Sequence, residues 1–174
     1  EGPREKRKLK DAAFPSAEGV DMKWVRQHPE SYDAGFAFLV HKDTVHEVVF
    51  RPKYAEAVGT RVKGVEGLGG RDLLVLGMYV HPGGSEKQLG KLMAEWEEVC
   101  LRENEGEEPP MMMMGDPNAR AGRCEEGGWC TTTNGHGRTM RTVVADRDLV
   151  VGSVDEPTCC TWNGSSNIDL VVYN

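Results

Sequence analysis

The chain has 174 residues, enough for one domain with a real core and cramped for two. Its 21 Lys and Arg against 28 Asp and Glu leave a net charge of −7, which argues against holding nucleic acid by bulk electrostatics. An acidic domain can still act on phosphate esters through a metal ion and a local basic patch, but nothing points to a membrane or secreted protein: no apolar run nears the ~18 residues of a span, and the charged start EGPREKRKLK has no signal-peptide core.

Residues 1–33 read as a polar N-terminal segment interrupted by Pro3, Pro15 and Pro29, with at most a short helix over Glu5–Phe14. Residues 34–174 read as the folded domain. Gly35–Val40 and Val45–Phe50 are short apolar runs around the polar turn His41–Thr44, and the natural expectation is that they pair as a hairpin. A third strand is predicted over Val58–Val65. Leu73–Val80 is continuously apolar, as a strand buried on both faces would be, and Pro82, Gly83 and Gly84 end it.

Ser85-Glu86-Lys87-Gln88 has the form of a capping box, and Leu89, Leu92, Met93, Trp96, Val99 and Cys100 follow at helical spacing. That stripe predicts a helix lying on a sheet. Met111–Met114 predicts a buried strand rather than a soft-metal site, because successive strand side chains point to alternate faces and four thioethers cannot converge. A glycine-rich loop is expected up to Gly137, a helix over Arg138–Asp148, and strands over Leu149–Val154, Thr158–Trp162 and Ile168–Tyr173. An α/β domain with a mixed sheet follows. The five cysteines, Cys100, Cys124, Cys130, Cys159 and Cys160, are odd in number and contain no C-x-x-C pair, which suits reduced thiols inside a cell better than a zinc site.

Polar residues collect at the predicted strand ends, where open α/β sheets build their sites. Tyr79 and His81 follow one strand, and Asp116, Asn118 and Arg120 another. Ser165, Ser166 and Asn167 lead into the last strand, and Asp169 lies inside an apolar run where an unpartnered carboxylate is costly. Each also has a purely structural reading: Asp116 and Asn118 as turn residues beside Pro117, Asn134 as a helix cap, His81 and His136 as exposed loop residues.

Taken in order, five segments resemble the endonuclease/exonuclease/phosphatase superfamily: GFAFLVHKD, LGMYVHP, GDPNAR, TTNGHGRTM and PTCCTWNGSSNIDLVVYN. The S-S-x-I-D and N-x-x-G-R forms are similar to those of its retrotransposon (LINE-type) endonuclease branch. The resemblance implies a mixed-sheet α/β sandwich of two sheets flanked by helices, Mg²⁺ as cofactor and DNA as partner. It implies that Asp116 orients or deprotonates the attacking water, that Asn118 holds a phosphate oxygen, and that Tyr79 donates to the developing phosphorane. Ser166 would touch the phosphate, Asp169 would orient a histidine, and Asn134 and Arg120 would add substrate contacts. Glu1 stands where a metal-binding glutamate is expected.

The sequence also departs from that pattern. No strand bearing the family's first asparagine is visible, the closing S-D-H segment is not in the chain, and Pro117 replaces an aromatic or leucine. The chain therefore looks like the middle of the domain with both ends missing. A Mg²⁺-dependent DNA endonuclease of a retrotransposon-like element is the expected function; Arg120, Arg123, Trp129, Arg138 and Arg141 near the site favour a duplex substrate. Two alternatives stand beside it: an inactive remnant of the domain, and a small-molecule phosphatase or phosphodiesterase on the same scaffold. The expected location is intracellular, and nuclear if the element is eukaryotic.

Overall fold

A computed structural model describes residues 22–26, 37–105, 109–124, 127–152, 159–161, 164–166 and 170–174; for 22–26, 37–39, 121–124, 127–132, 159–161 and 164–166 it describes the backbone alone. Glu1, Asp169 and the helix expected over Glu5–Phe14 lie outside the described residues.

In chain order the strands and helices are β1 (Met22–Arg26), β2 (Ala37–His41), β3 (His46–Phe50), β4 (Glu56–Val65), β5 (Arg71–Tyr79), α1 (Glu86–Glu103) and β6 (Met111–Asp116). There follow β7 (Ala121–Cys124), β8 (Gly127–Thr133), α2 (Gly135–Asp146), β9 (Val150–Val151), β10 (Cys159–Thr161), β11 (Gly164–Ser166) and β12 (Leu170–Tyr173). Six strands form one sheet in the order β3-β4-β5-β6-β12-β9, and β1–β2, β7–β8 and β10–β11 form separate two-stranded ladders. Within the large sheet only β5 and β6 run parallel. A parallel pair needs a long crossover, and α1 supplies it. The architecture is the expected α/β fold with a mixed sheet.

The predicted apolar stripe of α1 is buried in full: Leu89, Leu92, Met93, Trp96, Val99 and Cys100. It packs with Ala57, Leu74, Leu76, Met78, Met111, Met113, Leu170 and Val172 in one core. The methionine run alternates as a strand must, with Met111 and Met113 buried and Met112 and Met114 half-buried. On the opposite face Val58, Thr60 and Val75 are also buried. Thr60 and Val75 face each other across β4 and β5, and Val75 faces Met112 across β5 and β6. Trp96 lies over Gly59, where a Cβ would run into its ring and sit 2.8 Å from Phe50 Cβ. The rings of Phe50 and Trp96 meet at 5.9 Å.

Ser85 caps α1 as expected, its Oγ accepting from Gln88 N–H at 3.1 Å. The Gln88 Nε2 donates to the carbonyl of Tyr54, and the hydrogen bonds among the described residues do not include the return half of the capping box. Tyr54 is a second clamp on the same helix: its hydroxyl donates to Glu95 at 2.7 Å, and Lys91 Nζ lies 4.0 Å from its ring centre. Desolvation, then the hydrogen bond and the charge of Glu95, push the Tyr54 phenol above its ordinary value.

Four expectations change. The turn at His41–Thr44 closes, with Thr44 N–H donating to His41 O at 3.0 Å, yet the strands it joins do not pair. β2 pairs with β1 and β3 pairs with β4, so the chain passes there from one ladder to another. Apolar runs specify strands without specifying partners, and β4, at 10 residues, offers β3 a ladder. The glycine-rich loop contains the β7–β8 hairpin, whose Thr131–Thr133 run has the β-branched character of a strand. β1 falls within the segment read as polar. Finally, α2 starts at Gly135, three residues earlier than expected, because Asn134 caps it through Gly137 N–H at 2.7 Å. The poor helix propensity of Gly135 and Gly137 hides that start.

Candidate active site

The parallel register decides where the polar strand ends meet. Tyr79, the last residue of β5, lies opposite Asp116, the last residue of β6. Neighbouring strands at one register send side chains to the same face, ~5 Å apart. Met78 on β5, Val80 directly after it and Met113 on β6 belong to the α1 core. Alternation therefore assigns Tyr79 and Asp116 to the face away from α1. Both are half-buried.

Gly115 makes that approach possible. Its φ is 127°, and a Cβ there would collide with the carbonyl oxygen of Met78 and stand 3.1 Å from its carbon. The chain then alternates sharply: Pro117 and Ala119 are buried, Asn118 is half-buried and Arg120 is exposed. Asp116 Oδ1 accepts from Asn118 N–H at 2.8 Å, closing an Asx turn across Pro117. Asn118 adopts a left-handed φ of 47°, which asparagine tolerates better than most residues. Its Nδ2 donates to Val80 O at 2.7 Å, using one of two hydrogens, while Val80 N–H donates to Asp116 O at 2.8 Å.

Asn134 ties this strap to α2. Its Oδ1 accepts from Arg120 N–H at 2.9 Å as well as from Gly137 N–H, and its Nδ2 donates to Asn118 O at 2.8 Å. The turn-and-cap readings of Asp116, Asn118 and Asn134 thus describe bonds that exist. The structure brings Tyr79, Asp116, Asn118, Asn134 and Arg120 to one edge of the sheet. Ser166 is described in backbone only, paired with Cys159 in the β10–β11 ladder, and Asp169 and Glu1 are not among the described residues. Arg138 is paired with Glu86 at 3.2 Å. Arg123 and Trp129 lie where only the backbone is described.

His136, read as an exposed loop residue, is 4% exposed and sits on α2, so the sequence reading of this residue changes. A lone histidine among glycines has no periodicity to betray its burial. His81 is exposed as expected. A groove of about 1050 Å³ between α1 and α2, lined by Met93, Leu101, Val143 and the paired Glu86 and Arg138 among others, includes neither Tyr79 nor Asp116. Among the described residues, no three His, Cys, Asp or Glu side chains group in a way that would hold a metal.

The fold is similar to that of solved structures. It is similar to the endonuclease domain of TRAS1, a telomere-specific non-LTR retrotransposon, with a TM-score of 0.60 and 12% identity over 88% of this chain and 67% of that one. It is similar to the human Nocturnin catalytic domain with bound sulfate, with a TM-score of 0.50 and 16% identity over 89% of this chain and 60% of that one. The chain has the endonuclease/exonuclease/phosphatase fold. No protein-family profile matches the sequence, and no curated protein does. At such identities the likeness establishes the fold, and chemistry must be argued from the residues. Among the described residues no helix is long and apolar enough to cross a membrane.

Proposed function

We propose that the chain is a Mg²⁺-dependent phosphodiester hydrolase acting on DNA, the endonuclease of a retrotransposon-like element. The observation that carries this reading is the pairing of Tyr79 with Asp116 at the ends of the one parallel strand pair of the sheet, with Asn118 strapped beside them. Asp116, its carboxylate oriented by the Asn118 N–H, orients or deprotonates the attacking water. Asn118 offers its remaining amide hydrogen to a phosphate oxygen, and Tyr79 donates to the charge that develops on the phosphorane. Arg120, whose backbone is pinned by Asn134 and whose side chain is exposed, meets a flanking phosphate. Glu1 would hold a Mg²⁺ ion, which when bound would supply charge neutralisation at the phosphate and the leaving oxygen. Ser166 and Asp169 keep their proposed roles at the phosphate and behind a histidine. The similarity of fold to the endonuclease domain of a telomere-specific non-LTR retrotransposon favours the nuclease reading over a small-molecule phosphatase.

The test is nicking of supercoiled plasmid by the purified chain in Mg²⁺, with EDTA and Asp116→Ala as controls. The expected result is nicking that chelation abolishes and that Asp116→Ala reduces by at least about 100-fold, in the range set by losing a general base. No nicking and no hydrolysis of small phosphate esters by a folded sample would make the chain the inactive remnant. Hydrolysis of a small phosphate ester without nicking would make it a phosphatase on the same scaffold.

A further inference from the structure

We propose that His136 is a positioning residue for this edge: it locks the turn after Tyr79 to α2 and so holds the Asp116–Asn118 strap in register. Its relevance to catalysis rests on the hydrolase reading above; its structural content does not.

His136 is buried in the first turn of α2, where partial positive charge makes a potentially cationic side chain a poor choice. An apolar residue would fill the space without the cost of burying polar nitrogens. What histidine adds is a donor. Its Nε2 lies 3.0 Å from Gly84 O, and since a carbonyl only accepts, Nε2 carries the hydrogen.

Gly84 ends a tightly wound turn. Its N–H donates to His81 O at 2.7 Å, and Gly83 N–H donates to His81 Nδ1 at 3.1 Å. A Cβ on Gly84 would stand 2.9 Å from His81 O and 3.5 Å from Val80 Cγ1, so the turn has little slack over Val80. Val80 is also where the second link arrives. Asn134, two residues before His136, donates to Asn118 O, and Asn118 donates to Val80 O. Two routes therefore run from the start of α2 to the end of β5, one through Asn134 and Asn118, the other through His136 and Gly84. Together they close a ring through Val80, Gly84, His136, Asn134 and Asn118, next in the chain to Tyr79 and Asp116. Opening it at His136 lets the turn lift and slackens the Asn118 end of the strap.

Backbone amide exchange followed by NMR tests this directly. In His136→Phe, which keeps a ring and loses the donor, exchange at Gly84 and Asn118 rises about five- to tenfold, as for one lost hydrogen bond, while Leu76 and Leu92 do not change. His136→Gln, which keeps an N–H donor, returns both towards the wild type. In cleavage assays His136→Phe lowers kcat with KM unchanged. Unchanged exchange at Asn118, or a rise shared by Leu76 and Leu92, overturns the proposal. If His136→Phe does not fold, the wild-type imidazole decides alone: a slowly exchanging Nε2–H supports the link, and a hydrogen on Nδ1 only removes it. A wild type that cleaves nothing would end the hydrolase reading and leave the exchange result standing.

Discussion

Asn134 serves three backbone groups with one short side chain and a fourth through its own N–H, besides the helical bond its carbonyl accepts from Arg138 N–H at 3.0 Å. Its Oδ1 takes the N–H of Arg120 and of Gly137, its Nδ2 reaches Asn118 O, and its N–H donates to Arg120 O at 2.9 Å. A helix cap alone is worth ~0.5–2 kcal/mol, and leaving a half-buried donor or acceptor unmatched adds to that. Asn134→Ala is therefore expected to lower stability in urea unfolding by about 2–3 kcal/mol, above the range of an ordinary cap. Asn134→Asp keeps both acceptor bonds and loses the donation to Asn118 O, so it should cost about half as much. Equal losses for the two variants would show that the Asn118 link contributes nothing. The same residue shows why function and scaffold are hard to separate here: a side chain expected to meet substrate spends its polar atoms on the backbone that carries Asn118 and Arg120.

Among the elements, the β5–β6 pair sets the site, and its tightest point is Gly115. A residue with a Cβ would have to adopt a φ of 127° and also push against the carbonyl of Met78 on the paired strand. Strained backbone of this kind costs ~1–3 kcal/mol before the collision is counted. Gly115→Ala is expected to lose at least about 3 kcal/mol and, where it still folds, to separate Asp116 from Tyr79. A variant as stable as the wild type would mean that β6 can shift without consequence. The elements that sequence reveals are those with strong periodic or continuous apolar signals. The α1 stripe and its Ser85 cap, the 73–80 strand and the alternating methionines all follow from residue pattern. Pairing does not. Nothing in Ala37–His41 or His46–Phe50 says that the first joins β1 and the second β4. Nor does S-x-x-Q reveal that the Gln88 amide will donate to the Tyr54 carbonyl. Those outcomes depend on which long-range neighbour is present, and local sequence does not contain that information.

At the scale of the whole molecule, the site residues that sequence brings forward are those at the ends of legible strands, Tyr79, Asp116 and Asn118. His136 escapes because its burial is set by a turn far away in the chain. Charge is the remaining whole-molecule property, and −7 makes any grip on a polyanion local. Arg138 is held by Glu86 at 3.2 Å, while Arg120 is exposed beside Asn118. An arginine already engaged with a carboxylate releases little counterion when DNA arrives, whereas one contacting a phosphate contributes ~0.9 to the slope of log K against log salt. Binding of a short duplex, measured in EDTA over a salt series, is thus expected to be weak and shallow in slope. Arg120→Ala should reduce the slope by about 1, uniformly across DNA sequences, and Arg138→Ala should leave it within about 0.3 of the wild type. The reverse pattern would place the DNA path along the α1–α2 side of the molecule instead of the Tyr79–Asp116 edge. It would also require the Glu86–Arg138 pair to open on binding, so the carboxylate left behind would repel the strand that displaced it. Arg120 carries no such penalty, because its backbone is already fixed by Asn134 and its guanidinium faces outward.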